Sequence, residues 1–121
     1  MRDSGRPEPP TVVVLLAPGG AHDAHTLRQV LAGLEEEGVP ATVETAAAHD
    51  CVALAERAAE RSSLEVGVGI AADGVCLTHR ALHGRPPLEH LLDPVVASRA
   101  RCLGHDAARL VTGIALKLPA G

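Results

Sequence analysis

The segment TVVVLLA, residues 11–17, is apolar at almost every position and rich in β-branched side chains. A run like this predicts a central strand covered on both faces. After the loop PGGAHDAH, residues 18–25, apolar side chains recur at Leu27, Val30, Leu31 and Leu34. That spacing predicts an amphipathic helix. Thr26 and Gln29 have capping-box spacing, and Gly38 with Pro40 forms a stop. VPATVET is a shorter second strand, and Asp50 is a cap for a second helix over about 51–61. LEVGVGIAA, residues 64–72, is a third strand. Asp73-Gly74 signals a hairpin, from which VCLTHRAL returns antiparallel. HGRPPLEH, residues 83–90, reads as a loop, and Asp93-Pro94 as an N-cap with proline at the first helical position. A long helix then runs to about Thr112 with Gly113 as its stop. It turns Val95, Cys102, Leu103, Leu110 and Val111 inward, with Gly104 a point of weakness. IALKL, residues 114–118, offers a short final strand.

The order β-α-β-α-β-β-α implies parallel strands joined by crossovers, with one antiparallel strand inserted by the hairpin. The expected fold is α/β: a three-layer α/β/α sandwich on a small mixed sheet of four or five strands. The expected organisation is a flexible lead over 1–10, one domain over 11–118 and a tail over 119–121.

Composition narrows what such a domain does. The chain has 121 residues and no Phe, Tyr or Trp, so Val, Leu, Ile and Ala build the core. Stacking on bases, sugars or flat cofactors is closed to it. A net charge of −4 argues against nucleic acid and membrane surfaces as partners. No apolar run approaches the roughly 20 residues of a spanning helix. The lead MRDSGRPEPP has no signal-peptide core, which points to the cytoplasm. Cys51, Cys76 and Cys102 are odd in number and widely spaced, so reduced, mostly buried thiols are expected.

Candidate chemistry is sparse. GVGIAA, residues 67–72, imitates a dinucleotide fingerprint, but it lies inside a strand that ends in a hairpin. Its glycines serve better to let a helix approach the sheet. APGGAH, residues 17–22, offers backbone N–H groups to an anion but lacks a phosphate-loop lysine. Cys76, His79 and His83 have a metal-like spacing, yet on a strand Cys76 and His79 point to opposite faces. His22 and His25 have no evident carboxylate ally, and His105-Asp106 reads as solvated helix surface. Ser62 and Ser63 sit at a helix end, outside any nucleophile elbow. No catalytic residue is assigned.

Glu35, Glu36 and Glu37 crowd the last turn of the first helix. The helix dipole disfavours acids there by roughly 0.3–1 kcal/mol each. At about 100° per residue, Glu36 falls opposite a stripe centred on Leu27 and is expected to stand free toward solvent. Ordinary solubilising charge is the plain reading of such a residue; a hard divalent cation, with other ligands coming from a partner, is the sharper alternative. On the last helix, Arg99, Arg101 and Arg109 are candidates for pairing with acidic groups of a partner, and an exposed apolar patch is expected beside that surface.

GLEEEGVP, RSSLEVGVGIAADGVCLTHR and GHDAARLVTGIAL together resemble, in order and spacing, the small subunit of the reactivating factor for cobalamin-dependent diol and glycerol dehydratases. That family is related to the medium subunit of the dehydratases, and the resemblance covers residues 11–118. It implies an α/β fold and a non-catalytic role beside a large ATPase subunit of the actin-like chaperone superfamily. It also implies contact with the dehydratase large subunit, and release of damaged cobalamin by subunit mimicry or exchange. The middle glutamate of EEEG in that family contributes to a magnesium site at the boundary with the large subunit, which puts Mg²⁺ on Glu36. No cofactor is implied for this chain alone. The chain departs from the family at His105-Asp106, where Asn-Asn is frequent, and at Ile114-Ala115-Leu116, where Ile-Pro-Phe is frequent. Two alternatives stand beside this reading: a true medium subunit of a dehydratase, and a stand-alone α/β enzyme.

Overall fold

The computed structural model describes residues 10–19, 21–48 and 50–117, the backbone alone at 21–23 and 114–117. Strand β1 (Val12–Leu16), helix α1 (Ala21–Glu36), strand β2 (Ala41–Thr45), helix α2 (Cys51–Arg61), strand β3 (Val66–Ala71), strand β4 (Gly74–His79), strand β5 (Glu89–Leu92) and helix α3 (Ala97–Lys117) follow in order. The sheet order is β2-β1-β3-β4-β5. β1 pairs in parallel with β2 and β3, and β4 pairs antiparallel with β3 and β5. β4 is thus the one strand running against the rest, as the hairpin signal implies.

The two-sided apolar run of β1 is explained by what covers it. Val12 and Val14 join a core with Val30 and Leu34 of α1 and with Ala100, Leu103, Ala107 and Ala108 of α3. Val13 and Leu15 join Cys51, Leu54, Ala55 and Ala58 of α2 on the opposite face. The three layers are α1 with α3, the sheet, and α2. Gly67 and Gly69 on β3 lie directly under α2. A Cβ at Gly67 would stand 2.2 Å from the Ala59 nitrogen, and one at Gly69 2.3 Å from the Cys51 oxygen. The helix-approach reading of GVGIAA is what the packing shows.

Local signals hold unevenly. Asp50 caps α2, its Oδ1 accepting the Ala53 N–H at 2.7 Å. Gly38 ends α1 with φ +76°, and the Val39 N–H reaches the Leu34 carbonyl at 3.1 Å in a Schellman arrangement. By contrast, α1 starts at Ala21, so Thr26 lies inside the helix and is buried rather than capping it. The loop expected over 83–90 ends early: Glu89 and His90 belong with Leu91 and Leu92 to the edge strand β5, paired along β4 from Leu77 to Gly74. The last helix begins at Ala97, not Pro94, and the Val96 carbonyl accepts the Arg99 and Ala100 N–H groups. Gly113 does not stop it: α3 continues through Lys117, which removes the final strand expected at 114–117. A glycine in a helix lowers stability without terminating it unless the backbone turns left-handed. Leu118, the lead over 1–9 and the tail lie outside the described residues, as do Gly20 and the His22 side chain of the APGGAH reading.

Candidate functional site

The acidic turn is positioned by a contact between α1 and α3 that begins with two glycines. A Cβ at Gly33 would stand 2.2 Å from the Arg101 oxygen and 3.0 Å from the Gly104 Cα, and a Cβ at Gly104 would stand 2.2 Å from the Val30 oxygen. The two helices therefore cross backbone to backbone. Gly104 is the reason α3 fits here, and the helix does not break at it.

This crossing rotates α1. Thr26, Val30, Gly33 and Leu34 are buried, while Leu27 and Leu31 are only partly so. The inward direction lies between Val30 and Gly33, on the side of Glu37. Glu35, not Glu36, is left opposite the core. Glu36, expected to stand free, remains partly exposed but is held by α3. Its Oε1 accepts from Arg101 Nε at 3.1 Å, its Oε2 pairs with Arg101 Nη2, and His105 Nε2 stands 2.8 Å from Oε1. Glu37 Oε2 lies 2.9 Å from His105 Nδ1 and 3.8 Å from Arg109 Nη2. α1 has no basic residue in its own last turn. The cations that offset its dipole come from another helix.

Arg101 and Arg109, proposed for a partner's acids, thus face acids of their own chain, and Arg99 is exposed. His105 and Asp106 divide between two neighbours. His105 meets the acidic turn, while Asp106 lies beside Glu89 of β5, whose carboxyl is pushed up to about 8 by burial and then by Asp106. Exposed apolar side chains are present, but along the sheet edges rather than on the helices carrying these charges: Val43 on β2, Leu92 on β5, and Leu88 and Val96 beside it.

The other sequence candidates separate. His79 accepts the Ala81 N–H and lies 3.7 Å from Glu65, while His83 lies 3.2 Å from Glu60, so neither joins Cys76. Ser62 is a buried cap, donating to the Thr11 carbonyl at 2.7 Å. Cys102, expected inside α3, is exposed, because the small side chains of Ala100, Ala107 and Ala108 make the inward face. Cys51, Cys76 and His90 converge, a grouping that the sequence did not offer. Burial and the Cys76 thiol push the Cys51 thiol up, with the hydrogen bond to Cys76 the larger cause.

A family model described as dehydratase medium subunit matches residues 9–117. The chain belongs to the dehydratase medium subunit family. Relatives named as reactivating-factor small subunits match over about two thirds to nearly all of the chain. The propanediol dehydratase-reactivating factor small subunit of Salmonella typhimurium is 33% identical over 113 residues, 93% of each chain. A probable glycerol dehydratase-reactivating factor small subunit of Citrobacter freundii is 40% identical over 81 residues, 65% of this chain and 69% of that one. In structure, this family member matches a glycerol dehydratase reactivase with TM-score 0.80 at 36% identity, covering 93% of this chain and 97% of that one. It matches a diol dehydratase-reactivating factor complexed with ADP and Mg²⁺ with TM-score 0.78 at 30% identity, with the same coverage. Its homologues are small subunits of the diol/glycerol dehydratase reactivating factor, and the mixed five-stranded α/β fold is shared with them. No helix among the described residues is long and apolar enough to cross a membrane.

Proposed function

We propose that this chain is the non-catalytic small subunit of a cytoplasmic, ATP-dependent reactivase. It pairs with a large subunit that carries the ATPase, and the pair releases damaged cobalamin from a diol or glycerol dehydratase. The observation that carries this reading is the near full-length match, in sequence and in structure, to reactivating-factor small subunits. The family match supports subunit mimicry as the means of release. One pattern describes both dehydratase medium subunits and this chain, and in this reading one docking surface on the dehydratase large subunit accepts either. The test is reconstitution: with its large subunit and ATP, the chain restores activity to a dehydratase inactivated on its cobalamin. Absence of recovery with a folded, assembled pair overturns the reading. The same family pattern supports a second reading, a true medium subunit, which predicts co-purification with dehydratase large subunits in place of an ATPase.

Glu36 is proposed as this chain's ligand to Mg²⁺ at the boundary with the large subunit. An exposed carboxylate on a helix end has the hard oxygen donors such an ion takes, and the remaining ligands must come from elsewhere. Arg101 and His105 occupy both oxygens within the chain, so the ion has to compete with them. Loss of the Mg²⁺ dependence of assembly in Glu36→Gln supports this role, and unchanged dependence refutes it.

A further inference from the structure

On the α2 face of the sheet, three elements bring soft ligands to one point. Cys51 is the first residue of α2, and its side chain is buried against the sheet. Cys76 on β4 is buried in the same layer. His90 on β5 is the register partner of Cys76, so their side chains stand on the same face. Cys51 Sγ lies 3.0 Å from Cys76 Sγ and 3.5 Å from His90 Nε2, and the three atoms lie within 4.8 Å of one another. The sulfurs are buried and the imidazole is exposed, so the cluster has one open side.

The spacing can be compared with a tetrahedral zinc shell. Zn–S bonds of about 2.3 Å and Zn–N bonds of about 2.0–2.1 Å put sulfur and nitrogen about 3.5 Å apart, and two sulfurs about 3.7 Å apart. The observed S···N separation of 3.5 Å matches. The sulfurs, 3.0 Å apart, need to part by about 0.7 Å to reach that geometry. In the metal-free chain the Cys76 thiol and burial hold the proton on Cys51, so the ion has to displace it on binding. Cys51 sits in the positive first turn of α2. That turn is fixed twice over: Asp50 Oδ1 accepts the Ala53 N–H, and Asp73 Oδ1 accepts the Cys51 N–H at 3.0 Å. The Asp73 carbonyl in turn accepts the Asp93 N–H at 3.0 Å, tying the β3–β4 turn to the end of β5. The backbone around all three ligands is therefore preset.

We propose that Cys51, Cys76 and His90 form a zinc site, with three protein ligands and an open fourth position on the exposed His90 side. Two thiolates neutralise the ion's charge, and thiolate with imidazole is the donor set zinc prefers over hard cations. The site fastens the start of α2 to β4 and to the edge strand β5. It owes nothing to Glu36 or to the reactivase reading.

The experiment uses the full chain, reduced and stripped of metal, titrated with Co²⁺. The expected result is one equivalent bound, with a thiolate-to-cobalt charge-transfer band and the visible bands of a tetrahedral site, both removed by Zn²⁺. Cys51→Ala and Cys76→Ala lose the band, while Cys102→Ala on α3 keeps it. Asp73→Ala, which removes the acceptor of the Cys51 N–H, weakens binding roughly 10–100-fold, as loss of an outer partner does. Because the core cysteine variants are at risk of misfolding, His90→Ala at an exposed position is the second variant, and it reduces Co²⁺ affinity while the fold persists. The proposal is overturned by a wild-type chain that shows no charge-transfer band, or by a band that survives Cys76→Ala. It is equally overturned if Cys51 and Cys76 form a disulfide, read as a mass short by two hydrogens, when zinc is in excess.

Discussion

Two pairs of glycines bring backbone against backbone in this domain, and they do so for different ends. Gly67 and Gly69 let α2 lie on β3 among Ala55, Ala58 and Ala59, where the neighbours are buried and uncharged. Gly33 and Gly104 let α1 cross α3 at the rim, where charges follow directly on the crossing: Glu36 and Glu37 after Gly33, Arg101 and His105 around Gly104. The first contact sets stability. The second sets which side of α1 faces α3, and so decides what Glu36 touches.

The largest effect is expected from breaking the first contact. In Gly67→Ala the new Cβ would sit 2.2 Å from the Ala59 nitrogen and 2.5 Å from the Ala55 oxygen, both backbone atoms of one helix held along its length. A loss of about 3 kcal/mol is expected, at the upper end for overpacking. A urea midpoint lowered at unchanged slope measures it. In Gly104→Ala the Cβ would sit 2.2 Å from the Val30 oxygen, but two helices on one face can part more easily than a helix from its sheet. The gain in helix propensity offsets part of the clash, leaving a loss of about 1–2 kcal/mol. Gly113→Ala is the control: nothing among the described residues lies within 4 Å of its Cβ, so the same substitution in the same helix should gain up to about 1 kcal/mol. If the two α3 variants behave alike, the crossing is not tight and the rotation of α1 has another cause.

The same contrast separates what could be read from the sequence. Strand glycines inside an apolar run, the Asp50 cap, the Gly38 stop and the two-sided β1 announce themselves locally, and the α/β fold follows from their order. The rotation of α1 does not. Counting Leu27, Val30, Leu31 and Leu34 alone centres the stripe near Leu27, because a buried glycine and a buried threonine carry no hydrophobic signal. Gly33 and Gly104 have meaning only as a pair 71 positions apart (104 − 33). For the same reason α3 hides its inward face in alanines and leaves Cys102 outside. The cluster of Cys51, Cys76 and His90 depends on strand register, which turns Cys76 toward His90 of a strand that read as loop.

A third effect carries a pH signature. The Glu89 carboxyl, raised from 4.5 to about 8 by burial and by Asp106, is protonated in the folded domain where an unfolded chain has released its proton. The folded state then binds more protons, so stability falls as pH rises between those two values and is fully present below the lower one. Glu89→Gln keeps the neutral form and should flatten the urea midpoint over that range, while the wild type declines. A wild-type midpoint that rises with pH there would contradict the pairing of β5 with α3.

The smallest effect on the isolated domain is the most informative about the partner. Glu36 and Arg101 are an exposed pair, so Glu36→Gln or Arg101→Met alone is expected to change stability by about 0–1 kcal/mol, less at high salt. Their consequences for assembly should differ in sign. If Mg²⁺ and the large subunit compete with Arg101 for the carboxylate, Arg101→Met frees the ligand and strengthens Mg²⁺-dependent assembly, whereas Glu36→Gln removes the ligand and weakens it. Titrating the large subunit against each variant, with and without Mg²⁺, separates the two. Equal weakening by both would mean that the partner needs the clamped helix pair and has no use for a free carboxylate.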